Sequence, residues 1–158
     1  MYKSNELIST NPSTNQVIWR GTPTSVQELE NTVSKAKKIQ PDWENTPIGE
    51  KQRIIDNFAE YVKEHIEEAA KVISEENGKP LWEAKTEVKS LINKVQVVFD
   101  AYEERAKIKK KELANGRISY TRYRPYGVMA VLGPFNFPMS MPNSHIMPAI
   151  YAGNTVIF

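Results

Sequence analysis

The stretch PYGVMAVLGPFNFPMSMPNSHIMPAIYAGNTVIF, residues 125–158, decides the fold. It contains no Lys, Arg, Asp or Glu, so all 21 basic and all 19 acidic residues of the 158-residue chain precede it. Charged side chains are almost never fully buried unless they are paired. A charge-free run of this length therefore predicts a segment that is buried on more than one side.

Two unbroken apolar runs within this segment predict β-strands, at residues 128–132 and 155–158. The residues between them, 139–152, have helical potential that ends at Gly153 and Asn154. Strand, helix and strand within about 30 residues predict a parallel βαβ unit with a right-handed crossover. Because ligands of open α/β sheets bind beyond the carboxyl ends of the strands, the loop at residues 133–138 is the predicted binding site.

The residues before this segment predict a β-hairpin followed by a layer of helices. Turn-forming residues separate two short β-prone runs, which predicts a hairpin within residues 1–23. Apolar stripes at helical spacing then predict helices within residues 24–112. The first of these helices begins at a capping box that starts at Ser25, and it is expected to end before Pro41.

The last part of the helical layer carries the one basic run, at residues 105–111. We interpret it as the solvated end of a helix, where cations complement the helix dipole. It lacks the aromatic or glycine interleaving of a nucleic-acid site, so no nucleic-acid partner is predicted. Residues 117–124 alternate as a strand does and are expected to form an edge or an arm, before the βαβ start at residues 127–158.

Composition narrows the class of protein further. A net charge of +2 is too small to demand an anionic partner, and the apolar segment is too interrupted for a membrane span. The two histidines, His65 and His145, lie far apart and the chain has no cysteine, so no metal site is predicted. The absence of cysteine fits a reducing compartment, and no secretory signal is visible, so a cytoplasmic location is expected.

Three motifs carry a resemblance to a known family. They are EENGKP at residues 75–80, GPFNFP at residues 133–138 and PAIYAGNTV at residues 148–156. In this order and spacing they resemble the NAD(P)-dependent aldehyde dehydrogenase superfamily. Residues 82–94 and 142–148 are similar to its succinylglutamate-semialdehyde dehydrogenase branch, which acts in arginine catabolism. The chain departs from that branch at Met139-Ser140 and Ser144, which leaves the choice of aldehyde open.

The resemblance implies a fold, a reaction and a set of site residues. The fold is α/β, with the hairpin and helical layer leading into the first βαβ unit of a Rossmann-like cofactor domain. The reaction is oxidation of a small aldehyde to a carboxylic acid through a cysteine thioester, with NAD or NADP as cofactor. Asn136 would donate its side-chain NH₂ to the oxyanion, and the residues on the cofactor side of the loop would be Leu132, Gly133, Pro134 and Phe135.

Asn136 also has a structural interpretation. Asn-Phe-Pro before a helix is a good N-cap sequence, in which the side-chain oxygen accepts an early amide of the helix. Both roles are open at this point, because a capping oxygen leaves the NH₂ free to donate. His145 is interpreted as a packed or partly exposed histidine rather than as a base.

The sequence lacks much of what the resemblance implies. Its 158 residues contain no cysteine, so they contain no thiol nucleophile. We therefore expect an N-terminal portion of a longer, homo-oligomeric enzyme, inactive alone and prone to self-association through uncovered apolar surface. The alternative is a non-catalytic interaction or assembly module that keeps the scaffold.

Overall fold

The computed structural model describes residues 6–158 and contains strands, helices and one parallel strand pair. The elements in chain order are β1 (Leu7–Thr10), β2 (Val17–Gly21), α1 (Val26–Asn45), α2 (Ile48–Glu64), α3 (Ile66–Asn77), α4 (Leu81–Arg105), β3 (Lys109–Glu112), β4 (Ile118–Thr121), β5 (Val128–Ala130), α5 (Ser140–Tyr151) and β6 (Thr155–Ile157). The predicted α/β class is confirmed. Residues 1–5, which begin the predicted hairpin segment, lie outside the described residues.

Two apolar clusters hold the helices together, and α4 contributes to both. The first joins α2, α4 and α5, and its buried members are Ile55, Ala59, Val95, Val98, Phe99, Met147 and Tyr151. The second joins α2, α3 and α4, and its buried members are Val62, Ala70, Ile73, Ala84, Val88 and Leu91. Since α4 packs against α2, α3 and α5, the side chains on its buried face are held in close-packed surroundings.

The first helix differs from the prediction at its end. Its capping box forms as expected, with the Glu28 amide donating to Ser25 Oγ. However, α1 continues through Pro41 to Asn45, so the expected stop before Pro41 is wrong. A proline inside a helix removes one backbone hydrogen bond. Contacts with the rest of the protein hold this last turn instead, since Trp43 Nε1 donates to the Ile150 carbonyl (2.9 Å) and Lys51 Nζ donates to the Glu44 carbonyl (3.0 Å).

The basic run begins at the exposed end of a helix, as expected, but its lysines at 109–111 belong to a strand, so the helix-end interpretation is wrong for that part. Helix α4 ends at Arg105, and Lys109–Glu112 form strand β3, which pairs antiparallel with β4 across the turn at Asn115 and Gly116. All eight residues of the two strands are exposed. Because all four residues of β3 are charged, it lacks the apolar alternation from which strands are recognised. The pair is a separate two-stranded sheet, which fits the predicted arm.

The predicted βαβ unit is confirmed. Strands β5 and β6 pair in parallel, with Val128 opposite Thr155 and Ala130 opposite Ile157, and α5 connects them. Asn154 fixes the return from helix to strand, because its Oδ1 accepts from the Gly127 amide (3.0 Å) and its Nδ2 donates to the Ala149 carbonyl (3.1 Å). One buried amide therefore connects the end of α5 to the start of β5.

The expectation that the whole charge-free segment is buried is wrong at six large side chains, of which four are exposed over most of their surface. Tyr126 is 97%, Leu132 95%, Phe135 87% and Phe158 74% exposed. These residues flank the strands, whereas the interior positions of α5, such as Met147 and Tyr151, are buried. No helix within residues 6–158 is long and apolar enough to cross a membrane.

Candidate functional site

The candidate site is the loop of residues 131–139, which follows the carboxyl end of β5 and leads into α5. Residues 132–137 are exposed, so the loop presents its side chains to solvent rather than to the core. This is the edge at which parallel sheets bind ligands. The predicted site residues therefore lie together in one accessible segment.

Asn136 has an exposed side chain that makes no hydrogen bond within the described part of the chain. Helix α5 begins at Ser140 with Met139 as its N-cap residue, and no side chain caps it from the cap position. The N-cap interpretation of Asn136 is therefore wrong. Its NH₂ remains available to donate to a group outside the chain, beside a hollow of about 230 Å³ that also borders Gly78, Pro80 and Glu83.

The start of α5 is capped from a distance by Glu87. Its Oε1 accepts from the amides of Met139 (3.0 Å) and Ser140 (3.1 Å). Glu87 lies on α4 next to Val88, which is fully buried, and its own side chain is only 1% exposed. A carboxylate at a helix N-terminus is favoured by the unpaired amides and by the helix dipole. Glu87 thus joins the helical layer to the end of the candidate loop.

Lys79 completes this arrangement. Its ammonium group forms a buried ion pair with Glu87 Oε2, and its side chain is 8% exposed. The same Nζ donates to the backbone carbonyl of Asn136 (2.7 Å) and lies 4.2 Å from the centre of the Phe137 ring. The Lys79 amide in turn donates to Asn77 Oδ1 (2.9 Å). Lys79, in the Gly78-Lys79-Pro80 segment, therefore holds the backbone of Asn136, a residue that borders the open hollow.

The electrostatics of Glu87 reflect these partners. Burial is the largest single influence and raises the pKa of the carboxyl group. The hydrogen bonds from Lys79 and from the Ser140 and Met139 amides, together with the Lys79 charge, outweigh burial and hold the pKa of Glu87 below its ordinary value. The carboxylate is therefore charged at neutral pH and can hold Lys79.

Sequence reasoning missed Glu87. It named Asn136 as a site residue and included Lys79 in a family motif at residues 75–80. It treated the residues of α4 only as a packing helix. The available signal was a carboxylate inside the apolar stripe of α4, next to Val88, where an unpaired charge is almost never found. A buried glutamate between core positions implies a cation or amide partner elsewhere in the chain, although its identity cannot be read from spacing.

The other predicted site residues form the first half of the loop. Leu132 and Phe135 present exposed apolar side chains, and Gly133 and Pro134 lie between them. Gly133 packs so closely on Pro142 that a Cβ at position 133 would lie 3.0 Å from Pro142 Cγ. The loop thus offers an uncharged apolar surface, able to contact a flat ring, on a backbone that rests against α5.

We expect Gly133→Ala to lower the free energy of unfolding by about 1–3 kcal/mol, the usual effect of forcing extra atoms into a packed site. Pro142 is a rigid and fully buried ring, so it cannot move aside easily. Urea denaturation followed by circular dichroism measures the change. Gly49→Ala is the matched control, because a Cβ there meets nothing within 4 Å. Equal effects of the two substitutions would contradict the close contact.

Two other predicted features can be placed. His145 lies on α5 with an exposed side chain. Among residues 6–158, no three His, Cys, Asp or Glu side chains are grouped so that they could hold a metal ion. The chemistry that these residues offer is therefore hydrogen-bond donation by Asn136 and apolar contact by Leu132 and Phe135.

Comparison with models of known protein families identifies the family of the chain. The model of the aldehyde dehydrogenase family matches residues 2–158, which is nearly the whole chain. The chain belongs to the aldehyde dehydrogenase family. The resemblance inferred from the three sequence motifs is thereby confirmed.

Curated relatives within the aldehyde dehydrogenase family are similar over the same span. N-succinylglutamate 5-semialdehyde dehydrogenase of Chromohalobacter salexigens is 41% identical over 94% of this chain, which corresponds to 30% of the relative. The protein of the same name from Sphingopyxis alaskensis is 43% identical over 98% of this chain and 32% of its own length. The chain thus spans about a third of the length of the curated relatives it matches.

Solved aldehyde dehydrogenase structures share the fold. A glyceraldehyde-3-phosphate dehydrogenase from Methanocaldococcus jannaschii, complexed with NADP, matches with a TM-score of 0.88 at 28% identity, covering 98% of this chain and 34% of that one. An NAD-dependent benzaldehyde dehydrogenase from Corynebacterium glutamicum matches with a TM-score of 0.84 at 26% identity, covering 96% and 33%. The hairpin, helical layer and βαβ unit therefore have the family's arrangement.

Proposed function

We propose that this chain forms the N-terminal part of an NAD(P)-dependent aldehyde dehydrogenase that oxidises an aldehyde to a carboxylic acid. The observation that carries the proposal is the exposed side-chain amide of Asn136, which has no hydrogen-bond partner within residues 6–158 and lies in the loop after the carboxyl end of a parallel strand. Membership of the family and about 41% identity to succinylglutamate-semialdehyde dehydrogenases support this reading. We infer succinylglutamate semialdehyde as the substrate, which places the enzyme in arginine catabolism.

In this proposal Asn136 stabilises charge on the substrate. Addition of a nucleophile to an aldehyde places negative charge on the carbonyl oxygen, and a fixed N–H donor lowers that barrier. The thiol nucleophile must come from outside these 158 residues, because they contain no cysteine. The 158-residue chain alone is therefore inactive. Its role is to supply the oxyanion donor and part of the cofactor surface.

Leu132, Gly133, Pro134 and Phe135 would hold the cofactor in the same proposal. Their surface fits the flat face of a nicotinamide ring, since it carries two exposed apolar side chains and no positive charge that would repel the oxidised ring. NAD or NADP, when bound, accepts the hydride that the aldehyde carbon loses. The Leu132 and Phe135 side chains would contact one face of the nicotinamide ring and exclude water from it.

A chimeric enzyme tests the proposed function. Residues 1–158 are joined to the remaining part of the Chromohalobacter salexigens relative, and the fusion is supplied with succinylglutamate semialdehyde and NAD or NADP. We expect reduced cofactor to form with the fusion, and none with either part alone. A folded but inactive fusion would contradict the proposal and favour the interaction-module alternative. Turnover by the 158-residue chain alone would contradict its inactivity.

We also propose that the isolated chain self-associates. Leu132, Phe135 and Phe158 expose large apolar side chains, and β6 has only β5 as a paired neighbour within the described residues. Unpaired strand edges and apolar surface favour association. Light scattering is expected to show a mass that rises with concentration, and a constant monomer mass would contradict it.

We further propose a cytoplasmic location, which the absence of cysteine favours. We also propose that the parent enzyme is a homo-oligomer, on the basis of its family.

A further inference from the structure

We propose that the buried Lys79–Glu87 pair is a positioning device for Asn136, so that its contribution to the reaction is to hold the oxyanion donor in place. This inference rests on the proposed function, because it concerns the geometry of the same donor. Their side chains are only 8% and 1% exposed. Lys79 also borders the hollow beside Asn136, but its ammonium group is held by Glu87 and by the Asn136 carbonyl. They act on the site through the loop backbone, so they are positioning residues and not catalytic ones.

The first step of the argument is that Lys79 fixes the backbone of Asn136. Its Nζ donates to the Asn136 carbonyl (2.7 Å) and contacts the next side chain, the Phe137 ring, from 4.2 Å. These contacts restrict the peptide plane that follows Asn136. The direction of a side chain is set by its own backbone, so a restricted backbone restricts where the Asn136 NH₂ can point.

The second step is that Glu87 holds both Lys79 and the first residues of α5, which lie on either side of Asn136. One of its oxygens pairs with Lys79, and the other accepts from the amides of Met139 and Ser140. Asn136 therefore lies between Lys79 and the start of α5, and both of these are bound by the Glu87 carboxylate. Glu87 is itself fixed, because α4 is buried around Val88.

The third step is that the Asn136 side chain has no other support. It is exposed and makes no hydrogen bond within residues 6–158. A catalytic donor must be held within about 0.5 Å of its productive position, and misplacement by about 1 Å can cost about 10²-fold in rate. Since the side chain makes no hydrogen bond of its own within these residues, its position depends on the loop backbone. That backbone is held mainly by Lys79 and Glu87, with a longer hydrogen bond from Asn77 Nδ2 to the Phe135 carbonyl (3.5 Å) beside them.

The test uses Lys79→Met in the active chimera. We expect kcat to fall by about 10- to 10²-fold with little change in the KM for the aldehyde, because the lost interaction matters mainly in the transition state. The loss should largely disappear when Asn136 is already alanine, since a positioning residue has nothing left to position. Lys85→Met is the matched control: Lys85 also forms an ion pair, with Glu67 (2.7 Å), but it does not contact the loop.

The outcomes separate this inference from the proposed function. If the unsubstituted chimera is inactive, or if Asn136→Ala has no effect, the proposed function fails. If Asn136→Ala lowers kcat but Lys79→Met leaves it unchanged, or if the two losses multiply, only the positioning inference is overturned.

A second measurement does not need activity. The ¹⁵N-labelled 158-residue chain is studied at a concentration at which light scattering shows a monomer. There Lys79→Met is expected to increase fast backbone motion at Asn136, seen as a lower NMR order parameter, while Lys85→Met leaves it unchanged. Glu87→Gln is expected to speed hydrogen exchange at the Met139 and Ser140 amides. An Asn136 backbone that stays equally ordered in Lys79→Met would refute the positioning role.

Discussion

Replacing Asn136 by alanine is expected to lower kcat of the chimeric enzyme by about 10²–10³-fold, the usual effect of losing one oxyanion donor. The fold should not weaken, because the side chain is exposed and makes no hydrogen bond within the described residues. Steady-state formation of reduced cofactor measures kcat, and urea denaturation measures the free energy of unfolding. The two readouts together distinguish a role in the reaction from a role in folding.

Asn57→Ala is the control for this prediction. Asn57 lies on α2 with an exposed side chain that has no hydrogen-bond partner among residues 6–158, as for Asn136. We expect its kcat to stay within about twofold of the parent chimera, since surface substitutions away from special features have small effects. A similar loss in both variants, or no loss at Asn136, would show that Asn136 is not the oxyanion donor.

Glu87→Ala is expected to lower the free energy of unfolding of the 158-residue chain by about 3–5 kcal/mol, because it leaves the Lys79 charge buried without its partner. It also removes the acceptor of the Met139 and Ser140 amides. Urea denaturation measures the loss. Glu104→Ala is the matched control on the same helix, as Glu104 is exposed and unpaired in the described chain, and should change stability by less than about 0.5 kcal/mol.

The stabilising effect of Glu87 should depend on pH in a defined direction. Its pKa is lower in the folded protein than in the unfolded chain, so the folded state favours the charged form. The stability that Glu87 contributes is fully present above its unfolded pKa of about 4.3 and is lost as the pH falls through the lower folded pKa. We therefore expect the gap between wild type and Glu87→Gln to be constant from about pH 6 to 7 and to shrink below about pH 4. A gap that does not change with pH would contradict the charged interaction.

Local patterns in the sequence were sufficient to predict most of the regular elements, although not strand β3 or the last turn of α1. The apolar stripes of the helices and the two strands around α5 repeat at intervals of a few residues, and the capping box at Ser25 spans four residues. Such signals depend on neighbours in the chain, so they can be read without knowing the fold. The position of Asn136 at the end of a strand follows from the same reading, together with the family motif.

The features that were not predicted depend on distant residues. Glu87 finds its amide partners 52 and 53 residues later, and Lys79 contacts the Asn136 carbonyl 57 residues later. Helix α1 passes Pro41 because its last turn is bound by α5 and by α2, which outweighs the local cost of a proline. Strand β3 forms from a lysine run because β4 pairs with it, since strand propensity depends on the partner strand.

The hydrogen bonds between α1 and the βαβ unit affect the order in which the protein can fold during its synthesis. Trp43 Nε1 reaches the Ile150 carbonyl, 107 residues later, and Thr155 Oγ1 reaches back 119 residues to the Ala36 carbonyl. Because the ribosome delivers the chain from its N-terminus at about 5–20 residues per second, α1 waits for several seconds before its partners exist. Its apolar side chains Leu29 and Ile39 are exposed even in the folded chain. The newly made α1 therefore stays without these two hydrogen-bond partners until the βαβ unit has been synthesised.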